Sequence, residues 1–274
     1  MTERTIRPSI AGSFPALLVA VLLALGFAVA CGGKKNALPS NTANPDRFLF
    51  DRGSERLKEK KWADAREYFR QVVDNYPGSP LRPDAKLGLG DTYLGEKTTE
   101  SLVLAGNEYR EFITFFPTNP RADYAQYKLA MSHFAQMRAP ERDQTETVAA
   151  LKEFQAFFDR YPTSSLTPEV RKDWRIARDR LSTAEFRVAF HYFRIRWYPG
   201  AIPRLQGILK DDAQYSNRGE VYFYLGESLA RTDNKKKADA IPYFQRVLEE
   251  FPMSEHAEDA RKRLEELKVE LNTQ

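Results

Sequence analysis

The chain has 274 residues, of which 42% are hydrophobic, 12% aromatic and 29% charged, with a formal net charge of +4. This composition supports a sizeable core and excludes a disordered or collagen-like chain. Its 42 basic residues are spread among 38 acids, so no nucleic-acid footprint is expected, and a single cysteine excludes an internal disulfide.

Residues 1–30 stand apart from the rest. Arg4 and Arg7 precede an apolar run from Phe14 to Ala30, which ends in the small residues Ala28, Val29 and Ala30 immediately before Cys31. A basic start, an apolar stretch and a small-residue end are the marks of an export signal. The alternative is an uncleaved anchor, although about 17 apolar residues are marginal for a membrane span. The place of Cys31 resembles the lipobox of bacterial lipoproteins, whose thiol is acylated and becomes the first residue of the mature chain. Ala28 stands where that motif usually has leucine. The resemblance implies lipid attachment at Cys31, and Gly32, where aspartate signals inner-membrane retention, implies the outer membrane. Residues 31–45, rich in Gly, Lys, Asn, Pro and Ser without apolar periodicity, read as a flexible tether that keeps the globular part close to the membrane in the periplasm.

From Asp46 onward one phrase recurs. In Lys61 to Pro80, Ala65, Phe69 and Val72 form one apolar helical stripe, and Tyr76-Pro77-Gly78 closes it. Ala105, Tyr109 and Phe112 lead to Phe116-Pro117; Ala150, Phe154 and Phe157 lead to Tyr161-Pro162; Ala240, Phe244 and Val247 lead to Phe251-Pro252. Upstream of three of these, Leu89-Gly90, Leu129-Ala130 and Leu225-Gly226 place a small residue in mid-helix, where two helices approach closely. Paired helices with this spacing, at a period of roughly 34 residues, are the tetratricopeptide signature. The expected fold is all-α, a tetratricopeptide solenoid of about five helix pairs. Residues 46–165 hold repeats one to three, and residues 166–274 hold a long linking helix, repeats four and five and a capping helix.

In chain order, Asp46 is expected to cap the first helix. Repeat two begins near Pro83-Asp84 with a few extra residues at Glu96 to Ser101, and repeat three begins near Arg121 with a longer insertion from Met137 to Thr147. Thr167-Pro168-Glu169 reads as the capped start of a helix running to about Arg194, with Trp174, Ile176, Leu181, Phe186, Ala189 and Tyr192 as its buried stripe. Tyr198-Pro199-Gly200 is expected to break it. The segments GAIPRLQGILKD and DAIPYFQRVLEE then repeat each other, with Pro203 and Pro242 beginning or bending their helices. Lys235-Lys236-Lys237 reads as a solvated turn.

Catalytic patterns do not assemble. His133, His191 and His256 fall in separate repeats without the spacing of a metal-binding helix, and Gly88-Leu89-Gly90 lacks the remaining glycine of a phosphate loop. Cys31 has no candidate base nearby. No enzyme activity, metal or other cofactor is expected.

The signal, Cys31, the tether and the repeats together resemble the BamD family of lipoproteins of the bacterial β-barrel assembly (BAM) machine. The more specific parts are Tyr76-Pro77, RADYAQYKLAMSHF from Arg121, ERDQTETVAALKEF from Glu141 and DRLSTAEFRVAFHYF from Asp179. The chain departs from the family pattern where Arg196 replaces a turn glycine and where Asp211-Asp212-Ala213 replaces a Tyr-Pro. The resemblance implies a non-catalytic scaffold, lipid-anchored at the periplasmic face of the outer membrane, whose partners are the POTRA domains of BamA, other BAM lipoproteins and unfolded β-barrel proteins. It implies a BamA contact centred on Arg204, the arginine after Ala201-Ile202-Pro203, with the neighbouring turn of Arg194, Arg196 and Trp197 as the second place for it. It also implies a client groove over repeats one to three, to which helical register assigns Asp91, Tyr124 and Tyr127; the alternative for the two tyrosines is packing between repeats. A periplasmic tetratricopeptide protein coordinating envelope or cell-wall synthesis is the alternative.

Overall fold

The computed structural model describes residues 42–232 and 237–272. The export segment 1–30, Cys31, most of the tether, Lys235 and Lys236 lie outside the described residues. Among the described residues there are eleven helices and no strand. They are α1 (Pro45–Lys58), α2 (Trp62–Asn75), α3 (Arg82–Glu96), α4 (Thr99–Phe115), α5 (Ala122–Phe134), α6 (Thr145–Arg160), α7 (Thr167–Arg194), α8 (Tyr198–Asp211), α9 (Arg218–Thr232), α10 (Lys237–Glu250) and α11 (Ala257–Asn272). Asp46–Gln274 forms one compact unit in which each helix packs chiefly on its neighbours in the chain. The pairs are α1/α2, α3/α4, α5/α6, α7/α8 and α9/α10, with α11 covering the last.

The small-beside-large pattern of the sequence becomes direct contact. Phe69 of α2 is buried between Gly53 of α1 and Gly88 of α3, where an added Cβ would lie 2.8 and 2.7 Å from its ring. A side chain at either position would collide with a ring held on both sides, so these glycines are required by the close approach of three helices. Removing the Phe69 ring would cost about 3–5 kcal/mol.

The inter-repeat turns share one geometry. Tyr76, Phe116, Tyr161 and Phe251 each donate their N–H to the carbonyl four residues earlier, at 2.8–3.1 Å, and the proline after each cannot extend the helix. Three residues on, Ser79, Asn119, Ser164 and Ser254 donate back to the aromatic residue's carbonyl and then accept from the next helix. Repeat four takes the same path without aromatic or proline at the closing position. Asp212 donates to Ile208 at 2.9 Å, Tyr215 donates to Asp212 at 3.1 Å, and Arg218 donates to Tyr215 at 3.3 Å. The ring has moved three places along: Tyr215 is 1% exposed, with its hydroxyl 3.0 Å from Thr183 Oγ1.

The linking helix α7 occupies Thr167–Arg194, as its sequence indicates. Several finer expectations are corrected. Thr167 does not cap it; its hydroxyl donates to the Ser164 carbonyl at 2.8 Å, so the side chain closes the preceding turn. Ile176 is exposed and Leu181 half-buried, and the fully buried positions are Val170, Ala177, Ser182, Phe186 and Ala189, because the helix packs on different neighbours along its length. Tyr198-Pro199 opens α8 with proline in its first turn; the break lies at Ile195 to Trp197. There Arg196 takes φ 61°, donating to Phe193 at 2.9 Å while Trp197 donates to Tyr192 at 3.0 Å, the pattern that normally places glycine at the left-handed residue. Lys60, with φ 59°, fills the same position after α1. Asp46 lies within α1 and accepts from Ser79 Oγ at 2.6 Å instead of capping, while Lys237 begins α10 and pairs with Glu270 at 2.9 Å. Pro203 and Pro242 lie inside α8 and α10.

Candidate partner interfaces

Asp91, on the first helix of repeat two, gathers two tyrosines. Its Oδ1 accepts from Tyr109 of α4 at 2.7 Å and from Tyr124 of α5 at 2.8 Å, joining two repeats through one carboxylate. Burial pushes the Asp91 carboxyl up, against the lowering effect of the two hydroxyls and of the Lys128 and Arg121 charges. Burial and the Asp91 charge push Tyr109 and Tyr124 upward as well, so both remain hydrogen-bond donors.

Tyr127 is placed differently. It is buried in the core of repeat three with Phe154, while its hydroxyl donates to Glu169 at 3.0 Å and to Asp173 at 2.7 Å, both on α7. Lys128 lies over the Tyr124 and Tyr127 rings at 5.3 and 5.1 Å, and Arg121 lies over Tyr124 at 4.8 Å. The three residues assigned by register therefore lie on one run of first helices, but only Asp91 and Tyr124 form a single cluster. Tyr109 and Lys128 complete it. They are missed by register because Tyr109 belongs to a second helix and reads as core.

Around the turn between α7 and α8 the structure brings Arg204 and Trp197 together through Tyr192. The Arg204 guanidinium lies 4.3 Å over the Tyr192 ring and donates to the Gly200 carbonyl at 2.8 Å, and the Tyr192 and Trp197 rings are 5.0 Å apart. Trp197 is 53% exposed and Ile195 is exposed beside it. Among the described residues no carboxylate pairs with Arg194, Arg196 or Arg204. Glu185 lines a cleft together with Arg204 but forms no ion pair with it, and an exposed aromatic surface beside an arginine without an ion-pair partner suits an acidic partner. Tyr192 was read as core in sequence; its role as a platform for Arg204 depends on the left-handed turn between them.

The histidines are divided. His133 Nδ1 lies 2.7 Å from Glu146, His191 is exposed, and the His256 ring lies flat on Phe223 at 4.4 Å. Glu220, Glu255 and His256 bring one possible ligand atom each within 4.8 Å, but Glu255 is exposed and the histidine ring is engaged in core packing.

The chain matches the family model described as YfiO, outer membrane lipoprotein, over residues 42–228, and a tetratricopeptide-repeat model over residues 220–254. It is 28% identical over 216 residues to an outer membrane protein assembly factor BamD of Caulobacter vibrioides, covering 78% of this chain and 70% of that protein. It is 25% identical over 235 residues to the BamD of Rickettsia prowazekii, covering 82% of this chain and 89% of that protein. Among solved structures, the crystal structure of MamA protein aligns with a TM-score of 0.34 at 15% identity, covering 76% of this chain and 92% of that chain.

Proposed function

The chain belongs to the YfiO family of outer membrane lipoproteins, and from that premise we propose that it works as a non-catalytic scaffold, holding a membrane-embedded partner at one end and clients at the other. Its function is outer-membrane protein assembly within the BAM complex. Acylation of Cys31 would hold it at the periplasmic face of the outer membrane, since two or more acyl chains give a stable anchor where one does not. Repeats four and five would dock on the BamA POTRA domains, and the surface of Asp91, Tyr124 and Lys128 would receive strand ends of unfolded barrel proteins, with Tyr127, 3% exposed, supporting it from the core of repeat three. Cations beside tyrosine rings suit aromatic-rich segments.

The observation that carries the docking assignment is Arg204 stacked on Tyr192 beside exposed Trp197, with no carboxylate of the chain's own to neutralise it among the described residues. Tyr243 stands at the equivalent place in repeat five, so the repeat frame does not require a cation there. Losing one partner of a desolvated interfacial charge pair costs roughly 2–5 kcal/mol. Arg204→Glu should therefore reduce co-purification of BamA from detergent-solubilised membranes at unchanged helicity and melting temperature, and an opposite charge swap on BamA should restore part of it. Unchanged co-purification would move the contact to Arg194, Arg196 and Trp197.

A further inference from the structure

A shallow cleft of about 250 Å³ lies between α7 and α8, lined by Glu185, Val188, Arg204, Gly207 and Ile208. Val188 is 49% exposed on one wall, and the buried Ile208 forms part of the lining. The cleft is smaller than a typical small-molecule site and of the size that receives one side chain. Arg204 borders it, and its guanidinium reaches the Gly200 carbonyl and the Tyr192 ring.

Gly207 has no reason inside the chain to be glycine. In the interior of α8 it weakens the helix relative to alanine, and its φ is not in the left-handed region. Gly53, Gly88, Gly90 and Gly226 each face an aromatic ring that a Cβ would strike, at 2.6–2.9 Å. At Gly207 a Cβ would meet nothing within 4 Å, and it is alone in this among the helical glycines of the described residues. The space above it is empty in the isolated chain yet continuous with the arginine-rimmed surface.

We infer that the Gly207 cleft is the pocket for one aliphatic side chain of the partner segment whose carboxylate pairs with Arg204. The inference rests on the Arg204 reading and adds the second half of the recognition. Arg204 and Gly207 are three residues apart on one helix, neighbours on its surface. The guanidinium reaches back to the Gly200 carbonyl, seven residues before Gly207, so the partner must present its acid and its aliphatic group about 10 Å apart along the axis of α8. Charge complementarity selects the acid, because Arg194, Arg196 and Arg204 have no internal counter-ion among the described residues. The cleft selects the apolar neighbour, because Val188 and Ile208 offer it carbon, and Glu185 at the same lining disfavours a second acid there.

The test is binding of the full-length protein, in detergent, to recombinant BamA POTRA domains, with Gly207→Leu, Gly207→Ala, Val188→Ser and Arg204→Glu compared. Gly207→Leu fills the cleft from its floor and should weaken binding at least tenfold, with a melting temperature equal to or above that of the parent. Gly207→Ala should lose less, and Val188→Ser, which removes apolar wall at a half-exposed position, should lose several-fold. Parent-like affinity of Gly207→Leu together with weakened Arg204→Glu would overturn the pocket and leave the Arg204 contact standing. Parent-like affinity of all four would overturn both. If Gly207→Leu lowers the melting temperature, Val188→Ser decides: several-fold loss supports the pocket, and none overturns it.

Discussion

The Arg175 guanidinium of α7 grips the Asp212 carboxylate at the end of α8, with Nη1 2.8 Å from Oδ1 and Nη2 on Oδ2. Asp212 is 4% exposed and also accepts from Ser182 Oγ at 2.7 Å. Burial alone would raise its carboxyl, but the hydrogen bonds from Arg175 and Ser182 and the charges of Arg175 and Arg178 outweigh it and hold the pKa below the ordinary value. Asp212→Ala should destabilise the protein by about 3 kcal/mol, because Arg175 and Arg178 lose their most buried counter-ion, leaving Asp179 at 2.9 Å and Glu185 at 4.0 Å, and Ser182 loses its acceptor. The native state binds fewer protons at this site than the unfolded chain. The contribution is therefore complete above the unfolded pKa of about 4 and is lost as pH falls through the folded value. Urea denaturation at pH 7 and near pH 3 reads both: the gap between parent and variant should narrow in acid, and a constant gap would assign the loss to packing.

Asp91 has the opposite sign. Its folded pKa is raised, mainly by burial, so the native state binds more protons than the unfolded chain and this site favours folding more as the medium turns acidic. Asp91→Asn keeps an oxygen to accept from Tyr109 and Tyr124 while removing the buried charge. Its stability at pH 7 should match or exceed the parent's by up to about 1 kcal/mol, and the advantage should shrink toward pH 4. Asp91→Leu should instead cost about 1–3 kcal/mol by leaving two hydroxyls without their acceptor. An Asn variant as destabilised as the Leu variant would show that the charge itself is needed.

The helix pairs were legible because four of the five second helices repeat an alanine, an aromatic and a closing Tyr-Pro or Phe-Pro at fixed spacing. The end of repeat four was not, because Asp212 and Tyr215 divide between them what one aromatic residue does elsewhere. The partner that makes Asp212 tolerable there, Arg175, lies 37 residues away. One signal was present: Arg175, Arg178 and Asp179 share a face of a helix otherwise read as apolar, and Asp211-Asp212 stands where an aromatic was expected. The exposed Ile176 has the same cause, since the face carrying Arg175 and Asp179 turns to a polar joint. Among the site residues, register placed Asp91 and Tyr124 on one line, but it could not show that the Tyr127 hydroxyl reaches across to α7.

Arg196 holds a left-handed backbone that favours glycine, at a cost of about 1 kcal/mol. Arg196→Gly should raise stability by about 0.5–1 kcal/mol in thermal unfolding. If the guanidinium belongs to the docking surface, the same variant should bind BamA less well while melting higher. Lys60→Gly, at the same turn position after α1, should gain similar stability without altering BamA binding, which separates the two effects.

A photo-reactive residue at Lys128, which lies over both Tyr124 and Tyr127, should capture unfolded barrel precursors in cells. Val103 and Val148 are exposed on second helices and serve as controls on another face. Capture by the controls alone would move the client surface away from the Asp91 run.

Cys31→Ala should leave the helical repeats folded, as judged by circular dichroism of the purified protein, but release them from the outer membrane or leave the export segment uncut. A parent chain recovered from the periplasm in soluble form, with a free thiol at Cys31, would remove the lipid anchor from the proposal.

The 28-residue α7 is set in one apolar core by Val170 and Ala177, beside Phe154 and Phe157, and in another by Phe186 and Ala189, beside Leu205 and Ile208. Between these anchorages its buried contact is Ser182, within a joint of charges and hydroxyls. A rod of about 42 Å clamped at both ends acts as a lever arm, and one degree of tilt at the first clamp moves the far end by about 0.7 Å. Apolar packing resists such a shift through shape, whereas ion pairs and hydroxyls can accommodate it by small rotations. Load placed on the first three repeats thus reaches the last two through the stiffness of a single helix.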